Sequence, residues 1–235
     1  MGAGALVLAA VIVFVLVYFL LFPTSSPKPF SLTTAGGIST TATSATSTAT
    51  GSPAGEPAGT WTIGSGSQAG YRVREKLVFL PAQSDAVGRT SQISGNATLT
   101  SRAGTLTISR AAFTIAVNTL KSDRSQRDEK IHEIGLESSR YPTATFAQSQ
   151  ALQVALASVE DRVAHTTVTG IVEIHGVSKR ERIPVELTLR GGTLEAAGAL
   201  TFPWEEFGMS APSVGGFVSV TGKATMEFDL RLRRA

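Results

Sequence analysis

FVSVTGKATMEFDLRL, from Phe217 to Leu232, is the stretch that decides the fold. Val218, Val220, Ala224, Met226, Phe228, Leu230 and Leu232 alternate with Ser219, Thr221, Lys223, Thr225, Glu227, Asp229 and Arg231. Successive side chains of a strand point to opposite faces, so this alternation predicts a strand with one apolar and one wet face. Gly222 interrupts the apolar set, at a place where a strand bends or bulges. Weaker alternation recurs at Gln92 to Thr100, Leu106 to Val117, Ala164 to Ile174 and Ile183 to Leu189, with turn-like "SRAG", "HGVSKR" and "RGG" between segments. Many one-faced strands at short spacing predict an antiparallel barrel or sandwich. Only Lys121 to Ser139 breaks the rhythm. There Ser122 or Asp123 could cap a short helix whose apolar residues are Ile131, Ile134 and Leu136.

Towards the N-terminus the composition changes twice. From Pro23 to Gly59 the chain is mostly Ser, Thr, Ala, Gly and Pro, with no aromatic residue after Phe30 and two charges, Lys28 and Glu56. Such a segment buries too little apolar surface to offset the cost of ordering, so residues 23–59 are expected to be a disordered linker, a solvated stalk. Before it, Ala3 to Phe22 is apolar and uncharged. A helix needs ~20 such residues to cross a bilayer, whereas a signal-peptide core runs to ~7–15 and ends at a small-residue cleavage site. Residues 1–22 are therefore expected to be an uncleaved transmembrane anchor, and 60–235 a single domain on the extracytoplasmic side.

Several function classes fall away. The formal charge is +3, and the terminal Arg231, Arg233 and Arg234 run is far short of a nucleic-acid footprint, so no nucleic acid is expected as a partner. The absence of cysteine removes disulfides, thiolate metal sites and a thiol nucleophile. His132, His165 and His175 lack metal-ligand spacing. No G-x-S-x-G, P-loop or dinucleotide fingerprint is present. Glu205 and Glu206 beside Trp204 are the best candidates for paired carboxylates, although a turn is the simpler reading. Asn96-Ala97-Thr98 is a glycosylation sequon, relevant only in a eukaryotic secretory pathway. Adjacent Arg127 and Asp128 admit two roles. Arg127 could meet a polar headgroup at a barrel mouth with Asp128 orienting it, or the pair could clamp the helical excursion to the barrel, which is the preferred reading.

Six short pieces carry a resemblance: "WTIGSGSQAGYRV" from Trp61, "AVGRTSQISGNATL" from Ala86, "SDRSQRD" from Ser122, "YPTATF" from Tyr141, "GIVEIHGVSKR" from Gly170 and "WEEFGMSAPSVGGFVSV" from Trp204. In order and spacing, from Trp61 to the C-terminus, they resemble the YceI-like family, lipocalin-like barrels associated with polyisoprenoids and other amphiphilic lipids. Gly64 stands where that family usually has Asp, Gly66 where it has the His of His-Ser, and Lys130 where many members carry His. Headgroup contacts made by those residues elsewhere must differ here. The segments at Tyr71 to Glu75 and Ala86 to Thr90 look like an actinobacterial-type branch.

The resemblance implies an all-β, antiparallel lipocalin-like barrel of about eight strands with a short helical excursion, wide enough for one small ligand. Ile93, Phe113, Ile115, Phe146, Val168, Val172, Met226 and Phe228 are expected to line its interior, with Arg127 near the mouth. Each buried methylene contributes ~0.8 kcal/mol, so about fifteen supply roughly 12 kcal/mol before binding costs, and no elaborate polar apparatus is required. The expected function is to hold a polyisoprenoid or similar long apolar amphiphile, for carriage or sequestration, with neither catalysis nor a cofactor. The alternative is an envelope interaction domain whose barrel is filled by its own side chains. Either role leaves room for a homodimer.

Overall fold

A computed structural model describes residues 26–32, 57–77, 83–214 and 218–235. Twelve strands form one antiparallel sheet among these residues: β1 (Gly59–Ile63), β2 (Gln68–Leu77), β3 (Ser84–Thr90), β4 (Ile93–Arg102), β5 (Thr105–Ala116), β6 (Thr143–Gln148), β7 (Leu152–Ala155), β8 (Ala164–Ile174), β9 (Val177–Arg190), β10 (Thr193–Phe202), β11 (Ser213–Val214) and β12 (Val218–Arg234). Eight of them close into a barrel in the order β1, β4, β5, β6, β8, β9, β10, β12. Closure falls at Trp61, which lies opposite Ala97 of β4 on one side and Arg234 of β12 on the other.

The strand that decides the fold behaves as its alternation predicts, with Ala224, Leu230 and Leu232 buried and Arg231 exposed. Its register shifts between Thr221 and Thr225, and Gly222 takes a φ of 72° in that bulge. The long strand serves two neighbours along one edge. Its Val218–Asp229 portion pairs with β2, which carries β3 beyond it, and Leu232–Arg234 pair with β1.

The two ends of the barrel differ. One is packed solid by Trp61, Leu99, Leu106, Val159, Leu194 and Leu232, all essentially inaccessible. The other is covered by residues 117–142, the expected helical excursion. It holds α1 (Ser125–Lys130) and a π-helical turn, Ile131–Gly135. Ile131 is buried, but Ile134 is 44% exposed, against the expectation that both share an apolar face. The i→i+5 bond of the π turn, Leu136 N–H to Ile131 C=O at 2.7 Å, adds a residue to the turn and rotates the following side chains off the α-helical face. The expected capping also differs. Arg124 is the N-cap and makes no side-chain cap bond; Ser122 Oγ accepts from the Arg124 N–H, and Asp128 Oδ1 accepts from the Ser122 N–H at 2.8 Å.

Part of the expected disordered linker has fixed partners. Residues 26–32 form a strap across the outside of the barrel. Ser26 Oγ donates to the Asp85 carbonyl, Arg72 donates to the Pro27 carbonyl, and Arg89 donates to the Lys28 carbonyl. The Arg89 guanidinium stacks 3.9 Å from the Phe30 ring centre. Ser31 Oγ and the Leu32 N–H both donate to Glu186, at 2.9 and 2.6 Å. Low complexity hid this because the strap binds mainly through its backbone, whose carbonyls and N–H meet charged side chains. Glu227 also departs from expectation. Its alternation places it on the wet face, yet it is 2% exposed, because Arg72 and Arg89 bridge it to the strap through the nitrogens that hold Pro27 and Lys28.

Candidate functional site

A cavity of about 120 Å³ occupies the middle of the barrel. Its wall is apolar apart from Thr145 and Gln148. Ile93, Phe113, Ile115, Phe146, Val168, Val172, Met226 and Phe228 all lie on this wall. Val185 of β9 and Leu200 of β10 join them without having been singled out from the sequence, although both strands show the same alternation.

Glycines set the width of the cavity. A Cβ on Gly95 would lie 2.8 Å from Phe113 Cδ1, one on Gly170 would lie 2.3 Å from Phe146 Cε2, and one on Gly198 would lie 2.7 Å from Phe228 Cζ. Each ring therefore rests against a neighbouring strand where no side chain stands, instead of crossing the lumen. Each glycine falls at an inward position of its strand. An isolated glycine within an alternating strand signals this kind of close approach, and that signal was present in the sequence.

A smaller cavity of about 30 Å³ shares Ile115, Ala144 and Met226 with the first and continues it towards the excursion. Tyr71, Leu120, Leu136, Tyr141 and His175 line it. The Tyr71 ring lies over Gly88, where a Cβ would come within 2.3 Å of Cε1. The buried Tyr71 hydroxyl and His175 Nε2 make no hydrogen bond. Nε2 lies 3.3 Å from a Glu137 carboxylate oxygen, outside hydrogen-bond geometry. Burial, above all, pushes the Tyr71 hydroxyl above the usual tyrosine range, so it stays protonated at neutral pH. This end of the cavity thus presents a protonated tyrosine hydroxyl and a histidine ring within an otherwise apolar surface.

Arg127 lines neither of these cavities; it borders a separate groove of about 360 Å³ formed mainly by residues of β2, β3 and the excursion. It donates to Glu75 of β2 at 2.9 Å and to Asp123, and its side chain is 11% exposed. Arg127 thus fastens the excursion to β2, while Asp128, accepting from the Ser122 N–H, closes a turn within the excursion itself. Arg127→Met should cost about 3 kcal/mol in urea unfolding, because it strands the Glu75 carboxylate. Adding Glu75→Gln should recover part of that loss; a double mutant as unstable as the sum of the singles would show that the pair is not coupled.

The other candidates lie apart. His132 bonds the Leu120 carbonyl and Ser138, and His165 is exposed. No group of His, Asp and Glu among the described residues could hold a metal ion. Glu205 and Glu206 sit in the 3-10 turn Trp204–Phe207. Burial and, second, the Glu206 carboxylate hold Glu181 above its ordinary pKa.

The family model of the YceI-like domain matches residues 61–232. Among solved structures, a polyisoprenoid binding domain from Saccharophagus degradans, implicated in plant cell wall breakdown, is 15% identical with a TM-score of 0.53, covering 76% of this chain and 99% of its own. Burkholderia cenocepacia BcnA is 18% identical with a TM-score of 0.51, covering 70% and 95%. At these identities the likeness is one of fold. A search of the curated proteins gave no significant match.

Proposed function

The chain belongs to the YceI-like domain family, and from that premise we propose that it is a membrane-anchored, extracytoplasmic binding protein for a polyisoprenoid or similar long apolar amphiphile. The observation that carries this reading is the apolar cavity whose phenylalanines rest on glycines. A solid core has no use for rings laid against the wall around an open centre. The S. degradans relative described as a polyisoprenoid binding domain shares the fold and lends the ligand class support. Entry is from the excursion end, since the far end is filled by leucines. The cavity wall carries no acid, base or metal-ligating set, and the role proposed is carriage or sequestration, without catalysis.

The volume limits the ligand. Small-molecule pockets commonly measure ~300–1,000 Å³, and this cavity is smaller. The ligand is therefore a single extended chain, and Met226, with three rotatable bonds at the junction of the two cavities, gives way to it. The same volume favours, as a second reading, a barrel without ligand. Mass spectrometry of an organic extract of the purified chain separates them: a stoichiometric long-chain lipid is expected. Phe228→Trp should lower lipid recovery severalfold with little loss of stability, because the added atoms enter free space. A lipid-free parent combined with a loss of ~1–3 kcal/mol in Phe228→Trp would mark overpacking of a filled core and end the binding reading.

Anchoring is proposed from the sequence. Among the described residues no helix is long and apolar enough to cross a membrane, and Ala3 to Phe22 lie outside them. A reporter fused after Ala235 should be active only on the extracytoplasmic side.

A further inference from the structure

Resting on the anchored-barrel reading, we propose that the strap at residues 26–32 holds the barrel directly on the bilayer, with its excursion end facing the lipid. The partner is the membrane surface itself.

The strap has a direction. Ser26 is fixed to Asp85 near the start of β3, and Leu32 to Glu186 in β9. Asp85 lies opposite Arg74, and its neighbour Ser84 lies opposite Glu75. Glu75 is the residue that receives Arg127 of α1. The chain therefore joins the barrel wall at the end covered by the excursion and leaves it further down, towards β1. Between these points Arg72 and Arg89 hold both the strap carbonyls and the buried Glu227, so the attachment is built into the wall.

Chain geometry supplies the distance. Phe22, the last residue of the apolar run, is four Cα steps from Ser26. Fully extended, four steps reach about 14 Å. Were residues 23–59 a free tether, their root-mean-square span would be about 35 Å. The strap removes that freedom. The Ser/Thr-rich residues after Leu32 then connect two points on one barrel and no longer space it from the membrane. Of the two ends, only the one near Asp85 is held close to the lipid. It is also the end where the smaller cavity, with Tyr71 and His175, continues the apolar one. An amphiphile leaving the bilayer would cross the headgroup layer to reach the cavity, without a passage through bulk water.

The chain has no cysteine, so single labels can be placed in the full-length protein in vesicles. Lys76→Cys marks the excursion end and Arg102→Cys the far end; both positions are exposed. Each carries a donor dye, and the lipid headgroups carry the acceptor. Energy transfer from position 76 is expected to exceed that from position 102 severalfold. Insertion of about 20 Gly/Ser residues between Thr24 and Ser25, which leaves the barrel and its strap untouched, should make the signals equal. Equal transfer in the parent, stronger transfer from position 102, or no response to the insertion overturns the proposal. Flotation separates its failure from that of the reading beneath it. A chain that does not float with vesicles overturns the anchor as well. One that floats with equidistant labels overturns the orientation alone and leaves lipid binding standing.

Discussion

Val185→Asp is expected to lower the stability of the barrel by about 3–5 kcal/mol and to abolish lipid retention. Val185 is 6% exposed, sits in the cavity wall, and lies opposite Gly198 and Thr166. A carboxylate there has no cation within the lining, and its single methylene is too short to carry the charge to either end. An unpaired buried charge is among the costliest changes a core can receive. A domain has only ~5–15 kcal/mol in total, so the melting temperature should fall by roughly 10 °C or more. The introduced carboxyl should also titrate far above its ordinary value, and the variant should regain stability as the pH is lowered. The folded state binds the proton more readily than the unfolded chain, so stability is largest below the unfolded pKa and is lost as pH rises through the folded one. Measuring melting temperature between about pH 4 and pH 8 tests this; a flat profile would mean that the introduced carboxylate reaches water and that the wall is not dry.

Gly170→Ala is expected to close the cavity by adding one methyl group. The new Cβ would lie 2.3 and 2.6 Å from two atoms of the Phe146 ring and 2.7 Å from the Ala147 carbonyl. The ring must leave the wall, and the only free space is the lumen. Lipid content should drop at least severalfold, with a stability loss of ~1–3 kcal/mol typical of overpacking. Phe146→Val in the same chain removes the ring and tells the two clashes apart. If the ring carries the effect, the double variant should be more stable than Gly170→Ala alone and should recover lipid. If the Ala147 carbonyl carries it, Phe146→Val will rescue nothing.

How far these features could be read in advance depends on the range of the interaction. Strand alternation is local, and Ala164–Ile174 forms β8 with the bounds that its pattern predicts. Closure is not local: Trp61 meets Arg234 across nearly the whole domain, and alternation is equally compatible with a sandwich. The family resemblance supplied the barrel. Apolar wall positions were legible because parity fixes the face, but parity cannot distinguish a filled interior from a hollow one. Gly95, Gly170 and Gly198 carry that distinction, through contacts with residues on other strands. The strap was illegible for a different reason. "SPKPFSL" has a linker's composition, and its partners Asp85, Arg72, Arg89 and Glu186 lie far along the chain. Burial of Glu227 beneath it follows from the same distant partners.

The edge of β12 shared between β1 and β2 makes the barrel a hoop of uneven strength. At the far end the hoop passes through β1, hydrogen-bonded to strands on both sides. At the excursion end it passes through β2 and β3, and among the described residues β3 meets the excursion through one backbone bridge, Arg89 to Lys121, whose two bonds measure 2.9 and 3.0 Å, and the Thr90–Thr119 hydroxyl bond of 2.7 Å. By contrast, β8 is paired with β9 along all 11 of its residues. A hoop under outward pressure yields at a weak joint before its strong ones. A guest thicker than the resting lumen therefore strains the few bonds between β2, β3 and the excursion, while the ladders that hold the cylinder together stay intact.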